Sequence, residues 1–61
     1  MCLSSVYEIN GNSEQLICEH AASISIDGAT ITLTDILGKE IVVSGHLKNI
    51  DLAKNIIKIA V

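Results

Sequence analysis

A chain of 61 residues leaves room for one domain, residues 1–61, and an apolar content of 49% makes that domain ordered rather than disordered. Four lysines against seven acidic residues give a net charge of −3, and Tyr7 is the only aromatic. Nucleic acid is therefore excluded as a partner, since the chain offers neither a basic footprint for phosphates nor a platform on which bases stack. No apolar run approaches the ~20 residues of a membrane span and the N-terminus lacks a signal pattern, so the expected location is cytoplasmic, with no membrane contact and both cysteines kept as thiols.

In chain order, the first predicted element is a strand from Cys2 to Ile9, with Leu3, Tyr7 and Ile9 on one face and a turn at Asn10-Gly11. A second strand carries Cys18-Glu19-His20, whose alternation places Cys18 and His20 on the same face. The next unit, residues 22–33, alternates apolar and hydroxyl residues on both sides of Asp27-Gly28. A two-residue turn there pairs Ile24 with Ile31 and Ala22 with Leu33 on one face, and Ser25 with Thr30 and Ser23 with Thr32 on the other. Gly38-Lys39 then turns the chain from a strand ending in residues 35–37 into one at 40–43. The alternation slips here, because Leu33 and Ile36 share a face only across a bulge. At the C-terminus, a Lys54-Asn55 turn sets Leu52 opposite Ile57, Ile50 opposite Ile59 and Asp51 opposite Lys58. An amphipathic helix through Leu47, Ile50, Ala53 and Ile57 is the competing pattern, and the β-branched composition favours strands.

Six or seven short antiparallel strands most readily curl into a small β-barrel, which removes exposed edges. The predicted fold is thus all-β. A chain this short buries only about 60% of the surface its unfolded form exposes, so a second copy or a metal is expected to help stabilise it.

Catalysis is not expected: the chain has no Gly-rich phosphate loop, no spacing that singles out a nucleophile and base, and too little length to wall off a large pocket. Cys2 stands out by position. With Met1 retained, the α-amine, the Cys2 amide nitrogen and the Cys2 thiolate form two fused five-membered chelate rings; with Met1 removed, the amine and thiolate of Cys2 form one. Such nitrogen and sulfur donors suit square-planar Ni(II) or Cu(II) better than tetrahedral zinc, and one chain supplies at most three of them, so a second chain could complete the set. Position alone equally fits Cys2 as a small residue that opens a strand. Cys18 reads first as a core position beside Leu16, and whether it or His20 approaches Cys2 depends on the first turn: a three-residue loop sets Cys2 opposite His20, a two-residue Asn10-Gly11 turn sets Leu3 opposite Cys18. His20 otherwise reads as a solvated strand end. His46, after Ser44-Gly45, reads as a loop histidine or a further ligand to a terminal thiolate. The scattered carboxylates, Glu8, Glu14, Asp27, Asp35, Glu40 and Asp51, read as solubility.

The opening Met1-Cys2-Leu3-Ser4-Ser5-Val6-Tyr7, in a β-rich chain of this length with no proline and with a late Ser44-Gly45 and Ile50-Asp51-Leu52, resembles the CooT family of small nickel-binding proteins. That resemblance implies a homodimer that binds Ni(II) through Cys2 and serves as an accessory protein in nickel delivery to carbon monoxide dehydrogenase. A weaker similarity is to the hydrogenase-maturation chaperones typified by HypC, which also begin Met-Cys, fold as small β-barrels and use the N-terminal cysteine with an internal histidine. His46 is the nearest counterpart by position, and the Pro-rich start of those chaperones is missing. The alternative it implies is a maturation chaperone or protein-docking module that works without a metal.

Overall fold

Isoleucine, valine and threonine favour the pleated backbone, and the computed structural model, which describes residues 3–61, is built of strands. They are β1 (Ser4–Asn10), β2 (Ser13–Asp27), β3 (Thr30–Asp35), β4 (Glu40–Ser44), β5 (His46–Asp51) and β6 (Ile56–Ala60). All six join one sheet in the order β4-β3-β2-β1-β6-β5, with no helix among the described residues. The all-β expectation holds, and strands replace the helix that residues 47–57 could have formed. Two features depart from the expected set of short antiparallel strands. β1 and β6 are parallel, with Ser5 beside Ile56 and Ile9 beside Ala60. β2 has 15 residues.

That length forces a bend. Fifteen strand residues would run about 50 Å if straight, whereas the longest dimension of the molecule is 30 Å. The register with β1 locates the bend: pairing shifts between Ser4 and Val6, and again between Val6 and Tyr7, so that β2 carries extra residues opposite β1. The first half of β2 pairs with β1 and the second half with β3, Ala21 taking part in both ladders. At the far ends of the strand order, β4 and β5 are separated only by Gly45, so the sheet rolls round until its two outer strands meet through the chain itself. There the Gly45 amide donates to the Ala29 carbonyl at 2.8 Å. A Cβ at this position would meet the backbone carbonyl oxygen of Ala60, which is why the corner requires glycine.

The turns fall one or two residues from their predicted places. The β1–β2 turn is Gly11-Asn12, between paired Asn10 and Ser13. The β2–β3 turn is Gly28-Ala29, not Asp27-Gly28, which places Ile24 opposite Leu33 and Ile26 opposite Ile31. Gly28 has φ of +61°. In a two-residue turn with positive φ at its first central position, glycine takes that position without strain, whereas the predicted turn would have put Asp27 there. The register moves by two residues, so the paired side chains from Ser23 onward keep their predicted faces, whereas Ala22, predicted opposite Leu33, falls at the register shift between Ala21 and Ser23 and is exposed, with Ala21 buried in its place.

β3 ends at Asp35, and Ile36 and Leu37 lie in the following turn instead of extending the strand, which removes the predicted clash of faces between Leu33 and Ile36. The Asp35 carboxylate holds this turn, its Oδ1 accepting from the Leu37 and Lys39 amides at 2.9 Å each. The β5–β6 connection is a four-residue turn held in the same way, with Asp51 Oδ1 accepting from the Ala53 and Lys54 amides at 3.1 and 3.0 Å. Ile50 therefore faces Ile57 and Asp51 faces Ile56. Leu52 is left in the turn, and Lys58 pairs with Glu14 at 3.3 Å instead of with Asp51.

The core is Val6, Cys18, Ala21, Ile31, Leu33, Val43, Ile57 and Ile59, packed on by Ile17, Ile24, Ile41 and Leu47. It contains no aromatic and no buried polar side chain. From β1 it takes Val6, while Leu3, Tyr7 and Ile9, predicted to share one face, are all half-buried. Val6 is flanked by Cys18 in the antiparallel ladder with β2 and by Ile57 in the parallel ladder with β6, a row of three buried side chains that the β1 sequence alone does not reveal.

Candidate functional site

The residue on which the predicted metal chemistry turns, Cys2, lies outside the described residues, as does Met1. What can be described is the end of the sheet from which they depart. Ser4 pairs with Ala21, and Ala21 pairs with Asp35. The Ile36 amide donates to the His20 carbonyl at 3.0 Å, and the Ser5 amide donates to the Asn55 carbonyl at 2.9 Å. The start of β1, the bend of β2 and the turns after β3 and β5 thus share one end of the molecule. Leu37 and Leu52, the most exposed large apolar side chains described at 90% and 81%, stand in those two turns, with Ile36 beside Leu37. Their exposure follows from the turns themselves: each Asp draws the backbone into a tight loop and leaves the apolar side chain that follows it facing water.

The weaker candidates separate clearly. Cys18 is a buried free thiol at the centre of the core, opposite Val6. His20 is exposed and lies at the N-terminal end, its Nε2 4.0 Å from Glu19 Oε1. The prediction that Cys18 and His20 share a face is overturned by the bend in β2, because extra residues shift the alternation and the buried positions become Cys18 and Ala21, three apart. Leu16, expected beside Cys18 in the core, is consequently exposed. Neither predicted register of the first hairpin is found, since its two-residue turn falls one residue later than expected. His46 lies at the opposite end, paired with Ala60, which in turn neighbours Ile9 at the far end of β1. Among the described residues, no three His, Cys, Asp or Glu side chains converge as a metal site.

Sequence reasoning missed the exposed apolar turns. The signal for them is an aspartate followed directly by aliphatic residues, in Asp35-Ile36-Leu37 and Asp51-Leu52, a pattern that strand alternation also fits. No helix among the described residues is long and apolar enough to cross a membrane.

The geometry is that of a small all-β protein whose two most exposed large apolar side chains among the described residues, Leu37 and Leu52, stand in turns at the same end of the sheet as the start of β1. The family described as "CO dehydrogenase accessory protein CooT" matches residues 1–60, and the chain belongs to that family. Its fold is similar to the crystal structure of a candidate CooT from Carboxydothermus hydrogenoformans, with a TM-score of 0.87 and 24% identity over 97% of this chain and 95% of that one. No curated protein matches the chain.

Proposed function

We propose that this CooT-family protein binds Ni(II) through Cys2 at a homodimer interface and delivers it in the cytoplasm to carbon monoxide dehydrogenase or a similar metalloenzyme, without catalysing a reaction itself. The observation that carries the reading is the family membership of a chain that opens Met1-Cys2. The donors are the Cys2 thiolate and the backbone nitrogens of Met1 and Cys2. Three donors from one chain leave a four-coordinate ion incomplete, and a second thiolate from a partner copy fills the set. Support comes from the surroundings of the N-terminus, where exposed Leu37 and Leu52 gain burial from a second copy. His20 at the same end is better placed than His46 to add a ligand or a hydrogen bond. Cys18 is a packing residue.

The test is calorimetry of Ni(II) binding to the tag-free protein. Cys2→Ser is expected to abolish binding and Cys18→Ala to leave it intact, with one ion per two chains; unchanged affinity in Cys2→Ser overturns the reading. Because thiol and amide must both lose protons on binding, affinity is expected to fall as pH is lowered. A diamagnetic centre with a sulfur-to-nickel charge-transfer band marks square-planar ligation, and a paramagnetic octahedral spectrum contradicts it.

A second reading draws on the same exposed turns: a docking module of the HypC type that grips its client without a metal. It predicts that Cys2→Ser leaves client binding untouched and that nickel does not move the thermal midpoint.

A further inference from the structure

Away from the N-terminal end, the β1–β2 turn and the β5–β6 ladder enclose an open groove of about 390 Å³. This lies within the ~300–1,000 Å³ typical of small-molecule sites. Two of the chain's four lysines, Lys48 and Lys58, line it, in a protein whose net charge is −3. The groove's only carboxylate, Glu14, is 3.3 Å from Lys58. Lys48 forms no ion pair among the described residues. The neutral lining is equally suited to an anion. Asn12, Ser13 and Asn49 bring two amides and a hydroxyl, and the side-chain hydrogen bonds found among the described residues belong to Ser5, Asp35 and Asp51, so these three are free to donate outward. Ile9 supplies an apolar wall.

From this lining we infer that the groove binds a small aliphatic carboxylate, its oxygens on Lys48 and the amides of Asn12 and Asn49, its hydrocarbon part against Ile9. Phosphate fits less well, because its second charge meets only one uncompensated cation and the groove has no helix N-terminus to complement it. A nucleotide is disfavoured by the lining, which lacks an aromatic on which a base could stack. The site is separate from Cys2 and does not depend on the nickel reading.

The experiment is a titration of the 15N-labelled protein with sodium butyrate, a monocarboxylate, with sodium chloride at matched ionic strength as the reference. Saturable shifts are expected at the amides of Asn12, Ser13, Lys48 and Asn49. Lys48 is exposed, so Lys48→Ala folds normally, and loss of its charge-assisted hydrogen bond is expected to weaken binding by about tenfold or more. Lys39→Ala, in the turn at the other end of the sheet, and Cys2→Ser are expected to bind butyrate as the parent does. Shifts that do not saturate, that chloride reproduces, or that survive unchanged in Lys48→Ala overturn the proposal, as does inorganic phosphate binding as tightly as butyrate.

Discussion

At the scale of single residues, the tightest constraint is Gly45. The atom that a side chain would meet there belongs to the Ala60 backbone, with Val61 Cγ1 at 3.2 Å behind it, so relief requires moving β6. Gly45→Ala is expected to cost about 1–3 kcal/mol, the usual range for overpacking. A chain of this length has only roughly 3–9 kcal/mol of total stability at ~0.05–0.15 kcal/mol per residue. The loss will therefore appear as a large fall in the urea midpoint. The contrast between Ile31 and Leu37 is equally informative. Ile31 is fully buried, and Ile31→Val is expected to lose about 0.5–1.5 kcal/mol. At concentrations where the chain is monomeric, Leu37→Ala should change stability by no more than about 0.5 kcal/mol, because the side chain is 90% exposed on the single chain. A near-silent Leu37→Ala in the same denaturation series would mean that this leucine does not serve the monomer's own fold.

At the scale of elements, periodicity and turn chemistry were legible to different degrees. Alternation assigned the faces of the paired residues from Ser23 to Leu33 and of Ile50, Asp51, Ile57, Lys58 and Ile59 correctly, because moving a register by two residues leaves a paired side chain on its side of the sheet, but it failed for Ala22, at a register shift, and for Leu52, in a turn. It did not place the turns. After β3 and β5 the loop geometry is set by Asp35 and Asp51, whose carboxylates each accept two backbone amides. That competition between side chain and strand ladder is local but depends on where the ladder stops. Asp35→Ala should cost about 1 kcal/mol through the lost acceptors, and Asp35→Asn, which keeps one oxygen, less. Thermal denaturation of the two variants checks the order, and equal losses would assign the effect to charge instead.

At the scale of the whole molecule, the question is what covers the end around the N-terminus. Two leucines at 90% and 81% exposure on a 61-residue chain are a liability unless a partner hides them. If a second copy does so, Leu37→Glu combined with Leu52→Glu is expected to yield monomers in sedimentation equilibrium, and with them a loss of the shared nickel site. A double variant that still sediments as a dimer would place the interface elsewhere. One that is monomeric yet binds nickel with undiminished affinity would separate the metal from the interface.

The local part of this protein was written in its residues: the strand composition, the faces of β3 and β6, hairpins over residues 22–33 and 50–59, and a Met1-Cys2 opening that resembles the family to which it belongs. Only the tertiary structure decided the parallel pairing of β1 with β6, the bend in β2 and the corner at Gly45. The reason is that period-two alternation is defined along one strand, whereas these features depend on contacts between distant segments. For the candidate site the consequence is concrete. Extra residues in β2 turned Cys18 into the core and His20 into solvent, and the non-local strand order placed His46 at the opposite end from the start of β1.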